Sequence, residues 1–392
     1  MIAGDTLDTR RDESPLGPAG DRLAAVLASL VPLADPGLEA MRKSGALVVG
    51  EVTNRWPNAK TWHYQDGSHA IMFFSGLIDF YECVSATLFG AMNLDHDGTV
   101  TKAALSITDV VANLKVLFEA WTPEGIAQDR IARVSPPPLT PDHAELAALL
   151  VKMALSFILS HEFGHVLYYQ PPEDENPPPG LTLQQETESD QAGSRNLLIA
   201  AGPEGIAQAR MSIAGVMVSL RVLAVLGDLG HTFGESHPPP LDRLNTVVRS
   251  IRGACNSERE YWSLSTIAYS FDEQLEVAGA QAVGKTPPRT YDHAISRLVS
   301  MLEEIAKGHI EPAQLLLGMR MDFEDLSDQD LGVLAGVAAI LFAGPHAKTN
   351  SERHDKMWAA MGAFLRNAIE EFPDRAREVF QFAFSPANQK KG

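Results

Sequence analysis

Apolar positions recur at helical spacing through most of the chain, and one short region breaks the rule. Residues 21–43, "DRLAAVLASLVPLADPGLEAMRK", carry the helical period with Pro32 and Pro36 interrupting it. Between 46 and 81 the segments "ALVVGEV", "TWHYQ" and "AIMFFSGLIDFY" are instead rich in β-branched and aromatic residues bounded by Gly, Asn and Asp. They predict a small sheet that passes into a helix after Gly76. Helical periodicity then returns. Thr140-Pro141 offers a hydroxyl cap followed by proline at the first helical position, so a long helix is expected from Asp142 to Gln170, where "PPEDENPPPG" stops it. Thr182 and Gln185 have the spacing of a capping box and predict a second helix carrying "ETESDQAGSRNLLIAA". "MSIAGVMVSLRVLAVLG" predicts a third, largely buried helix, and 258–386 read as a series of amphipathic segments without a sheet signal. The fold class expected is mainly α (α+β), with a flexible leader at 1–20, a domain over 21–256 and a helical C-terminal domain over 257–392.

Composition narrows the partners. A chain of 392 residues, 45% hydrophobic and 21% charged, has ample material for a folded core. Its formal charge of −18, without any run of Lys and Arg, argues against nucleic acid or an anionic membrane as partner and leaves proteins or peptides. Cys83 and Cys255 give neither a disulfide framework nor a metal-binding pair, and a reducing cytoplasm is expected. The polar start "MIAGDTLDTRRDESPLGPAGD" lacks the apolar stretch of a signal peptide. Residues 145–160 and 211–230 are the most apolar windows, but Lys152, Arg221 and Asp228 interrupt them, so both are expected as buried helices and no membrane span is expected.

The chemistry concentrates in "LSHEFGHVLYY", residues 159–169. Residues four apart on a helix lie about 1.1 turns apart, so His161 and His165 project from one face and can share an ion. Glu162 is turned about 100° from His161, beside the ion's open position, where it can take a proton from an attacking water. A catalytic zinc needs a third protein ligand. In "ETESD", Glu186 and Asp190 share a helical face, so Glu186 is expected to complete the coordination of one Zn2+ and Asp190 to hold a ligand histidine through its second ring nitrogen. Glu188 is the alternative ligand, but it lies on a different face from Asp190.

Taken together, "HEFGH", "ETESD", "SHPPPLDRL" at 236–244 and "IMFFSGLIDF" at 71–80 resemble the gluzincin-type zinc peptidases, most closely the M48 family. The resemblance implies a zincin-like helical metallopeptidase core and a zinc endopeptidase acting on a protein substrate. It implies that the 71–76 strand is a sheet edge, with Phe74, Ser75 and Gly76 beside an extended substrate. It further implies that His237 and Arg243 either stabilise the oxyanion or lock the helix in place, the second role fitting Arg243 better. Against that family, residues 82–139 are an insertion and the spacing from His165 to Glu186 is short. Short spacing also marks the phage-exclusion peptidase Lit and the ImmA/IrrE-type peptidases, a likeness that suits a regulatory or defence role.

Two motifs carry less than their letters suggest. "GAQAVGKT", 279–286, fits a P-loop, but Pro287-Pro288 and the helical "DEQLEV" before it deny the strand and helix that a phosphate cradle needs. "NLDHDGTVTKAAL", 93–105, resembles half of a calcium loop, with Ala104 where a bidentate glutamate belongs. His63, His96 and His231 read as ordinary polar residues, His231 lying close in sequence to His237. The rival reading from another class is a protein-binding or sensing module in which zinc is structural or absent; a scaffold has no use for Glu162. A latent enzyme, covered by 82–139 or by the C-terminal helices, is a variant of the first reading.

Overall fold

The computed structural model describes residues 23, 26, 36–92, 94–96, 99–101, 103–168, 179–201, 205–231, 238–256 and 258–285. The leader at 1–20, His237 and the chain from 286 onward, Thr286 of the P-loop-like motif included, lie outside the described residues. The chain divides into two compact units, Met1–Ala254 with Phe271–Lys285, and Cys255–Ser270 with Thr286–Gly392. Every site residue treated below lies in the first.

That unit is mainly helical with a small sheet, as the periodicity predicts. Helix α1 (Pro36–Ser44) leads into β1 (Leu47–Val52), β2 (Ala59–His63) and β3 (His69–Phe74). Their order is β1-β3-β2, with β3 parallel to β1 and antiparallel to β2. The expected edge at 71–76 is therefore corrected: β3 is the middle strand, hydrogen-bonded on both sides, and among the described strands β1 and β2 are the edges. The physical reason is in the burial. Ile71 and Phe73 are fully buried, and a strand apolar along nearly its whole length belongs between partners, whereas no residue of "AKTWH" is fully buried.

Helix α2 (Ser75–Gly90) follows β3 without a loop. A hairpin of β4 (Leu94–His96) and β5 (Thr99–Thr101) and helices α3 (Ile107–Ala120) and α4 (Pro123–Ala127) come next. The hairpin occupies the calcium-loop-like stretch. His143 is fully buried and anchors it by bonding the Met92 carbonyl at 2.7 Å.

Helix α5 (Pro141–Leu167) begins where expected: Thr140 accepts the His143 N–H and Pro141 fills the first helical position. Its burial from Leu150 to Val166 makes it the central helix. Helix α6 (Pro179–Ala201) starts before the Thr182 cap expected from the sequence; Pro179 tolerates the first turn, and Gln185 reaches the Tyr168 carbonyl instead of capping its own helix. Helices α7 (Ile206–Asp228), α8 (Pro240–Ala254) and α9 (Glu258–Ala282) complete the described elements. Among them, α5 and α7 are long and apolar enough to cross a membrane, but 72% of each apolar window is buried inside the protein, as core helices require. The first four positions of the P-loop-like motif lie in α9, and Lys285 pairs with Asp228, so the phosphate-cradle geometry is absent there.

Candidate metal centre and active site

Two close helix contacts bring the site together. A Cβ at Gly164 would lie 2.7 Å from Ser189 Oγ and 2.8 Å from Ser189 Cα, so α5 and α6 touch nearly backbone to backbone. At Gly193 a Cβ would stand 3.1 Å from the backbone nitrogen of His161. Small residues at these positions let the ETESD face of α6 lie directly against the last turns of α5.

At that contact His161, His165 and Glu186 form a group able to hold a metal ion, their ligand atoms all within 4.8 Å of one another. His161 Nε2 and His165 Nε2 are 3.0 Å apart, His165 Nε2 is 3.3 Å from Glu186 Oε1, and His161 Nε2 is 3.5 Å from Glu186 Oε2. Ligand atoms about 2.0–2.1 Å from one zinc at tetrahedral angles stand roughly 3.3 Å apart, so these separations fit the edges of a coordination tetrahedron. The donor set fits as well. Asp190 Oδ1 lies 2.9 Å from His161 Nδ1, within ion-pair distance, while Nε2 of the same ring is the atom nearest His165 and Glu186. Glu188 is excluded from the cluster: it takes a bond from Gln184 one turn away.

Charge around the cluster is balanced by Arg243 on α8. Its Nε donates to Asp190 Oδ2 and its Nη2 to Oδ1, both at 2.8 Å, and Nη2 stands 3.7 Å from Glu186 Oε2. Burial alone raises the Asp190 carboxyl, but Arg243 and His161 outweigh it and hold Asp190 well below the usual carboxylate range. Arg243 is correspondingly raised: burial lowers it, and the carboxylates of Asp190, Glu186 and Glu162 more than compensate. For His165, burial lowers the pKa while the hydrogen bond to Glu186 and the charges of Glu162 and Glu186 carry it above the ordinary value. The sequence therefore brings His161, Glu162, His165, Glu186, Asp190 and Arg243 to one place. Arg243 does its work by clamping Asp190, on the helix-locking side of the two roles expected for it.

The remaining residues fall elsewhere. Ser75 is buried and exchanges hydrogen bonds with the Asn54 backbone, and a Cβ at Gly76 would strike the Arg55 carbonyl oxygen at 2.1 Å. Phe74 donates its N–H to Asn58 across the sheet. Ser75 and Gly76, small and buried, let β3 pass directly into α2, and with β3 paired on both sides Phe74 stands in a middle strand and not at the expected sheet edge. His231 bonds the Trp121 carbonyl and stacks edge-on with Trp56.

Strand β2 contributes what the sequence reading missed. Thr61 Oγ1 donates to Glu162 Oε2 at 2.5 Å. His63, two residues on and so on the same face, lies with Nδ1 2.7 Å from His69 Nδ1; burial, with the positive charge of His69 and then of His165, pushes its pKa down to about 4. The bonds Phe74 N–H to Asn58 O and Tyr64 N–H to Ser68 O place the even-numbered residues of β2 in hydrogen-bonded pairs with β3. The peptide groups of Ala59 and Thr61 consequently point away from β3, along the side of β2 with which no described strand pairs. A polar pair at i and i+2 in "TWH" was the available signal, obscured because the edge was expected on β3.

No curated protein and no solved structure matches the chain. A family model does: residues 75–265, just under half of the chain, match Peptidase U49, the Lit-like peptidases. The matched span takes in the metal-capable cluster, Asp190 and Arg243, and runs through residues 82–139. It supports a peptidase, and among the families that the motifs resemble it singles out neither M48 nor the ImmA/IrrE type.

Proposed function

We propose that the chain is a zinc-dependent endopeptidase that hydrolyses peptide bonds of a protein substrate. The observation that carries this reading is the convergence of His161 Nε2, His165 Nε2 and a Glu186 carboxylate at tetrahedral-edge separations, with Glu162 next to His161 on α5. A zinc held by these three residues supplies Lewis acidity, polarising the scissile carbonyl and acidifying the attacking water.

The chain's own groups do the rest. Glu162 accepts one proton of the water on its carboxylate and returns it to the departing amine, so the peptide C–N bond breaks to a carboxylic acid and a neutral amine, and transfer of the acid's proton to that amine leaves the carboxylate and ammonium of neutral solution. Asp190 keeps the His161 ring in the Nδ1–H tautomer, and Arg243 keeps Asp190 ionised in a site too buried to ionise it unaided. An extended substrate pairs with the outward peptide groups of Ala59 and Thr61 on β2, adding a strand to the sheet. His237 is proposed as a stabiliser of the developing oxyanion on the strength of its place in the "SHPPPLDRL" stretch. The two free cysteines, Cys83 among them buried, suit a cytoplasmic setting.

The test is a comparison of new protein N-termini. A proteome is incubated with the zinc-loaded chain and, in parallel, with Glu162→Gln. The reading expects a small set of cleavage sites that appear with the wild type and vanish with the variant. Identical sets in both samples, or no new N-terminus with either, would count against it.

A further inference from the structure

Strand β2 meets the site twice through a single residue. The Thr61 side chain faces α5 and donates to Glu162 Oε2 at 2.5 Å, while its peptide group points to the side of β2 that no described strand pairs with. Glu162 is only 8% exposed, and a carboxylate so placed needs a donor to fix it. The Thr61 hydroxyl is the donor and Glu162 Oε2 the acceptor of this bond. Threonine is suited to this task because its β-branch restricts χ1 and its strand neighbours hold the backbone.

We propose that Thr61 is a positioning residue for Glu162: its hydroxyl sets the orientation in which the carboxylate takes the proton, and a substrate strand docked on β2 grips the peptide of the same residue. The inference deepens the zinc-peptidase reading and rests on it. Substrate binding and base alignment are thereby joined at one residue, so that a chain without an added strand holds its base less firmly than a chain with one.

The test uses the full-length, zinc-loaded chain and two small probes. Acetohydroxamate chelates the metal and hydrogen-bonds the neighbouring carboxylate, whereas imidazole ligates the metal alone. Binding of each is measured by calorimetry on wild type, Thr61→Val and Thr61→Ser, with zinc content determined in parallel. In Thr61→Val, zinc content and imidazole affinity are expected to match wild type while acetohydroxamate affinity falls about tenfold, the loss of one charge-assisted hydrogen bond. Thr61→Ser keeps the donor and should restore most of that affinity. Unchanged acetohydroxamate binding in Thr61→Val would overturn the proposal. So would equal losses for both probes, or loss of zinc, since either makes Thr61 a part of the fold and not of the base. A wild type that takes up no zinc overturns the proposal together with the reading beneath it, and that outcome is visible before any variant is compared.

Discussion

Replacing Arg243 with Met removes both 2.8 Å bonds to Asp190 and leaves a carboxylate that is 1% exposed facing only His161 Nδ1. Breaking a buried ion pair from one side costs about 3–5 kcal/mol, because the abandoned charge stays desolvated. His161 remains as a partner, so the lower end, about 3 kcal/mol, is expected at neutral pH. The pH dependence follows from the direction of the shift. Asp190 is depressed in the folded wild type, so its contribution is present above the ordinary 3.8 and is lost as pH falls through the folded value. In Arg243→Met burial dominates and the carboxyl rises instead, so the variant recovers as Asp190 takes a proton. The deficit relative to wild type should therefore be full at pH 7 and shrink toward acid. Urea denaturation of the metal-free chain, followed by tryptophan fluorescence at pH 7 and at about pH 4.5, measures this. A deficit below about 1 kcal/mol at pH 7, or one that does not change with pH, would refute the claim that Arg243 compensates a buried Asp190 charge.

Other expectations can be checked with simpler assays. Gly164→Ala places a methyl group 2.7 Å from Ser189 Oγ, so it should push α5 from α6, cost about 1–3 kcal/mol in denaturation and lower zinc uptake in a metal titration. Burial pushes the Cys83 thiol up to about 12, and native protein at pH 8 should resist alkylation there, mass spectrometry finding Cys83 modified only after unfolding. His63 has a folded pKa lowered to about 4 from 6.5, so the protein should lose stability as pH falls across that window. Thermal melts of metal-free His63→Asn should show a flatter dependence over the same range, and an unchanged slope would count against the shift.

Much of the fold was legible because local signals agreed with one another. The Thr140-Pro141 start of α5, the passage from β3 into α2 and the i, i+4 faces of His161, His165, Glu186 and Asp190 all follow from short-range geometry, which tertiary packing had no reason to override. Strand order was not legible. It depends on which strands pair at a distance, and β3 became the central strand only because β1 came alongside it in parallel. From that one error the rest followed: Phe74, Ser75 and Gly76 were expected at a substrate edge and serve a strand-to-helix junction, while Thr61 went unassigned. Arg243 illustrates a middle case, its importance visible in the "SHPPPLDRL" stretch but its partner, Asp190, 53 positions earlier, visible only in three dimensions.

At the centre of the proposed function stands one zinc bound by His161, His165 and Glu186 beside Glu162. Elemental analysis of the purified chain, alongside His161→Ala and Glu162→Gln, tests it most directly. About one zinc per chain is expected in wild type and in Glu162→Gln, and little in His161→Ala. Wild type that carries no zinc even after reconstitution, or His161→Ala that keeps it, would contradict the claim.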